Sequence, residues 1–284
     1  MDKYKKILVA FDGSEPGRNA LREALKLAAD DKSRIGVISV IPPYEGDLTA
    51  MWTNDMRASM RKQSENTLEE AAKIAHDQGI VVDTISDEGE IHERIVDLAD
   101  TENFDLIVIG QKGTSVVERA LVGSVAARVI GYSRQDVLVV PACAKLSWQN
   151  ILVATDGSPY SEAAARRAIE IAKQHQSEFK ALSVVDVTIE FMLRAQEVYN
   201  HLVAKAKGIA DSVKEKALAA GVKAEAVVRD GEVYKVIIDV ANETKSDIII
   251  MGSLGKTGIK RLLMGSSAER VLGHSCFPVL IVKP

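Results

Sequence analysis

Cysteine is scarce in this sequence, with only Cys143 and Cys276 among 284 residues, far apart and in no CxxC pair. That excludes a disulfide framework and a thiolate metal cluster as organising devices, and it fits a cytoplasmic protein. Long apolar runs are also missing. The longest are strand-sized, such as LIVI between Asp105 and Gly110, far short of the roughly 20 residues of a membrane-spanning helix. There is no excess of positive charge either: 36 Lys and Arg stand against 40 Asp and Glu, which disfavours a nucleic-acid binder relying on a broad basic surface. The opening MDKYKKILVAFDGS has a short apolar stretch that runs straight into a turn, without a small-residue cleavage pattern, and reads as a first strand rather than a signal segment.

Several chemical signatures are absent as well. The five histidines, at 76, 92, 175, 201 and 274, form no pair at metal-ligand spacing, so no metal site is expected. Gly255-Lys256-Thr257 imitates the end of a P-loop, but the glycine that motif needs five residues earlier is Ile250. The dinucleotide fingerprint G-x-G-x-x-G is missing after the first strand, and there is no G-x-S-x-G elbow. No His or Glu is placed by motif to activate water, so no catalytic residue is assigned.

The sequence does contain itself twice. Ile7 to Ser14 reads ILVAFDGS and Ile151 to Ser158 reads ILVATDGS, an offset of 144. FDLIVIG from Phe104 returns as SDIIIMG from Ser246, and VLVV from Val137 returns as VLIV from Val279, both at an offset of 142. A repeat of this length implies two copies of one domain, 1–142 and 148–284, joined near Pro141 to Gln149. Residues 1–142 carry 17 basic and 24 acidic side chains, a net of −7, and residues 143–284 carry 19 and 16, a net of +3. Drift of solvated faces explains this asymmetry, as does opposite charge that helps the halves dock or draws anions to the second.

Within each half, short β-branched runs alternate with helix-period segments. Strands are expected near 5–11, 34–41, 80–85, 105–109 and 137–140, then near 149–155, 179–186, 222–228, 247–251 and 279–282. Leu21, Leu25 and Ala28 form an apolar stripe after Pro16, and Thr67 to Gln78 is a run of helix formers that stops at Gly79. In the second half, helices are expected near 160–175, 190–220, 232–244 and 266–273. Strands separated by helical crossovers are parallel, so the fold class is α/β, with two tandem doubly wound five-stranded parallel sheets. In the order 3-2-1-4-5, strands 1 and 4 are neighbours whose connections leave to opposite faces, and a crevice opens at their carboxyl ends.

Two repeated patterns stand at that crevice. After strand 4 come Gly110-Gln-Lys-Gly113, nine residues and Gly123-Ser124; the second copy is Gly252-Ser-Leu-Gly255, nine residues and Gly265-Ser266. Glycines let a backbone approach a ligand closely, and a helix start offers free N–H groups to phosphate. Turns alone would also use these glycines, and Ser124 and Ser266 serve equally as N-caps. After strand 1, Asp12 and Asp156 open DGS turns, where an Asp either caps the next helix or meets the ligand.

Through G-x2-G-x9-G-[S/T] in both halves, and over nearly the whole chain, the sequence resembles the universal stress protein family, in its tandem, ATP-binding branch. The resemblance implies the order 3-2-1-4-5, an adenine nucleotide alpha hydrolase-like fold, and ATP, with Mg2+, lying across strands 1 and 4. It places Asp12 with Val40, and Asp156 with Val185, at adenine and ribose. Gly110, Gly113, Gly123 and Ser124 fall at phosphate and ribose, as do Gly252, Gly255, Gly265 and Ser266, with Val125 and Ser267 next in each helix. The second half keeps the pattern more fully, including Gly258, Lys260 and Arg261; the first has Val116 in place of Gly258, Glu118 in place of Lys260, and the bulky Gln111 after its first glycine. The second site is therefore favoured.

The resemblance implies a regulatory stress-response module whose nucleotide occupancy is read by a protein partner. The alternatives are a slow ATPase or autophosphorylating enzyme, with Ser124, Ser266 or Ser267 as acceptors, and a nucleotide-free scaffold pairing through VLVV and VLIV, within one chain or as a homodimer. The segments 42–55 and 187–193, after the second strand of each half, suit either lids or plain helix entries.

Overall fold

The computed structural model describes residues 4–43, 54–112, 122–255 and 264–284. The chain divides into two compact units, Met1–Cys143 and Ala144–Pro284.

The first unit runs β1 (Lys6–Ala10), α1 (Glu15–Asp31), β2 (Arg34–Ile41), α2 (Asn54–His76), β3 (Asp83–Glu88), α3 (Ile91–Thr101), β4 (Leu106–Gly110), α4 (Ser124–Tyr132) and β5 (Asp136–Val140). Its strands lie in the order β3-β2-β1-β4-β5, and the pairs are parallel. The second unit runs β6 (Asn150–Ala154), α5 (Pro159–His175), β7 (Glu178–Val185), α6 (Ile189–Arg194), α7 (Gln196–Ala219), β8 (Ala224–Asp230), α8 (Val233–Glu243), β9 (Ile248–Gly252), α9 (Ser266–His274) and β10 (Val279–Val282). Its order is β8-β7-β6-β9-β10, the same winding. The α/β class and the order 3-2-1-4-5 hold in each half.

Residue chemistry accounts for which strand lies where. LIVIG of β4 and IIIMG of β9 are buried throughout, as a strand covered on both faces must be. DTISDE of β3 and AEAVVRD of β8 end each order and carry charge and exposure, which suits an edge. The stripe Leu21, Leu25 and Ala28 packs α1 into the core. Ser14 and Ser158 cap α1 and α5 by accepting from the Gly17 and Ser161 amides, with Pro in the first turn of both helices.

Two expectations need correction. β3 and β8 begin later than periodicity suggests, because the chain first closes the preceding helix: the Ile80 amide returns to the Ala75 carbonyl and leaves Val81 92% exposed. The Val222 amide does the same to Ala217 before β8. The single helix expected near 190–220 is two, α6 and α7, broken at Ala195, whose φ and ψ of −132° and 52° are not helical. Neither Gly nor Pro marks that break in the sequence.

Candidate functional site

Each crevice is built where β1 or β6 lies beside β4 or β9. After β1, Asp12 Oδ1 accepts from the Ser14 amide at 3.0 Å and from its hydroxyl at 2.6 Å. After β6, Asp156 Oδ1 accepts from the Ser158 amide at 2.9 Å. The turns need Gly13 and Gly157, whose φ values of 73° and 76° suit glycine. Both Asp residues thus brace the turn while remaining reachable: Asp12 is exposed and Asp156 half-buried.

The loop after β9 comes back onto this carboxylate. A Cβ placed on Gly255 would stand 2.9 Å from Asp156 Oδ2, so glycine is what lets exposed backbone close on the aspartate. The loop's far end is fixed by the Gly265 amide, which donates to the Ser253 carbonyl at 2.9 Å; in the first unit Gly123 donates to Gln111 at 3.0 Å. Gly123 and Gly265 are themselves the N-cap residues, with no side-chain cap. Ser124 and Ser266 are therefore not N-caps; they are the first helical residues and are exposed. The first intrahelical bonds are donated by Ala127 and Glu269, so the amides of 124–126 and 266–268 precede the helical ladder. Ser124, Val125, Ser266 and Ser267 stand among these donors, where the helix dipole favours an anion.

Gly110 and Gly252 have a packing reason that their spacing does not reveal. A Cβ on Gly110 would lie 2.8 Å from the backbone of Pro16 and Gly17, and one on Gly252 would lie 2.7 Å from the Tyr160 backbone. Both are buried, and their missing side chains make room for the first turns of α1 and α5. They shape the crevice floor.

The strand register also moves one residue. Ala10 pairs with Ile38 and Ala154 with Leu182, so two residues on Asp12 is level with Val40 and Asp156 with Val184. Val185 is instead the counterpart of Ile41: their carbonyls accept from Gly231 and Gly89, each at 3.0 Å. Val40 and Val184 are half-buried, while Ile41 and Val185 are buried. The signal was in the sequence, since the 144-residue offset carries Val40 to Val184.

Gly113, Val116, Glu118, Gly258, Lys260 and Arg261 lie outside the described residues, as does most of the segment 42–55. Of 187–193, the structure makes a helix entry: Thr188 caps α6 by accepting from Phe191.

Two matches to the universal stress protein family model cover residues 3–141 and 147–283. The chain belongs to the universal stress protein family. A universal stress protein of Methanocaldococcus jannaschii is 40% identical over 141 residues, 48% of this chain and 82% of its own length. One of Mycolicibacterium smegmatis is 26% identical over 298 residues, 98% of this chain and 97% of its own, so the tandem form recurs there. The crystal structure of a universal stress protein from Archaeoglobus fulgidus covers 98% of this chain and 96% of its own at TM-score 0.75 and 23% identity, a likeness of fold.

Proposed function

We propose that this universal stress protein is a regulatory module that binds adenine nucleotide, ATP with Mg2+, in a crevice of each unit, the second being favoured. The observation that carries the reading is the convergence in the second unit of an aspartate, a glycine backbone 2.9 Å from it at the Cβ position, and a helix start without a side-chain cap. Such a set offers a polar acceptor for a base or ribose and amide donors for phosphate. The preference for the second unit is supported by the close approach of the Gly255 backbone to Asp156 Oδ2. It is supported too by buried Ser253 beside the site, where the first unit has Gln111.

Mass spectrometry of small molecules released by heating freshly purified protein tests the reading. Adenine nucleotide near one or two equivalents per chain is expected. None released, together with no calorimetric binding of MgATP, would replace it with the scaffold.

A further inference from the structure

We infer that Arg270 is the residue by which the second crevice distinguishes a polyphosphate from a monophosphate nucleotide, and that Glu232 holds this arginine in reserve. The inference rests on the nucleotide reading above. Arg270 follows Ser266 by four residues on α9, so the two side chains share a helix face, and helical side chains tilt toward the N-terminus where the unladdered amides lie. The guanidinium is parked on Glu232, the residue before α8, with Nη1 2.8 Å from Oε1, while Lys235 Nζ lies 2.8 Å from Oε2. It also lies 5.5 Å from the Tyr234 ring centroid, and that ring packs against His274 at 4.9 Å.

This arrangement is not needed to join the helices. Ile237, Val240 and Ala241 of α8 and Ala268, Val271 and Leu272 of α9 are buried, whereas the Arg270 and Glu232 side chains are 51% and 42% exposed. A surface ion pair of this kind contributes little to stability. Yet the pair occurs twice: at an offset of 142, Glu90 and Arg128 stand 3.9 Å apart in the first unit, beside a His92–Tyr132 ring contact in which the two residue types have exchanged places. Where Lys235 adds a second cation on Glu232, the first unit has Glu93. A phosphate extending past the amides competes with the Glu232 carboxylate for the guanidinium, and a monophosphate held at the amides does not reach it.

The competition fixes the signs of the test. The full-length chain, Arg270→Gln and Glu232→Gln are titrated calorimetrically with MgATP and with AMP, with thermal melting as the folding control. Arg270→Gln should weaken MgATP about tenfold, the scale of one charge-assisted contact, and AMP less than twofold. Glu232→Gln should tighten MgATP severalfold, because the arginine is released, and leave AMP unchanged. A merely structural pair predicts that both substitutions weaken both nucleotides equally or change neither, and either result overturns the inference alone. Wild-type protein that binds neither nucleotide overturns the nucleotide reading and this inference together.

Discussion

Asp156 and Gly255 belong to neighbouring strands' ends, nearly 100 residues apart, and their close approach is a matter of single atoms. The glycines of the two loops divide by what fills the space beside them. At Gly252 the neighbour is the Tyr160 backbone, which cannot swing aside, so Gly252→Val should destabilise the protein by about 1–3 kcal/mol in chemical denaturation, whatever it does to ligand. Unchanged stability would contradict the packing role. Ser158 caps α5 through the Ser161 amide, so Ser158→Ala should cost about 1 kcal/mol, read the same way. The glycine spacing was legible in the sequence; the reason for Gly110 and Gly252 was not, because the atoms they admit come from α1 and α5. That Val184 rather than Val185 is level with Asp156 follows from strand register and from the 144-residue offset alike.

Helices and strands set where these atoms stand. α9 begins at Gly265 without a side-chain cap, and α5 begins at Ser158 with one, a difference that separates a helix start open to an anion from one closed on itself. In the first unit α1 and α2 are tied at the crevice by Arg18 and Glu70, joined through Nε–Oε1 and Nη2–Oε2. Hydrogen bonding to Arg18 holds the Glu70 carboxyl below its ordinary value of 4.5. The pair therefore contributes stability above that value and loses it as pH falls through the lowered one. Wild type should melt slightly higher than Glu70→Gln at neutral pH, and the gap should close below the ordinary carboxylate range. A gap that persists in acid would mean that packing, not charge, joins these helices. Periodicity and Gly punctuation made most elements readable, including the buried runs of β4 and β9. The break at Ala195 was not readable, since a helix of ordinary formers carries no local mark of where tertiary packing interrupts it.

At the scale of the whole molecule, a single α/β unit occurs twice with its architecture intact and its crevices diverged. Phe11 and Gly17 of the first unit are Thr155 and Ser161 in the second, and a Cβ on Gly17 would press within 2.7 Å of Asp12 Oδ1. The Thr155 hydroxyl instead donates to Ser161, which also accepts the Asp156 amide at 3.3 Å. The duplication was plain in the sequence because core patterns repeat, whereas the divergence of the crevices depends on pairs of residues that meet only in the fold. On the proposed function, the second crevice holds adenine nucleotide against Asp156 and the following loop. Calorimetric titration of MgATP into wild type and Gly255→Val tests it most directly: position 255 is exposed, so the variant should keep its melting temperature, while its side chain pushes on the carboxylate and lowers affinity at least about tenfold. Equal affinity in the two proteins, with the fold intact, would contradict the account.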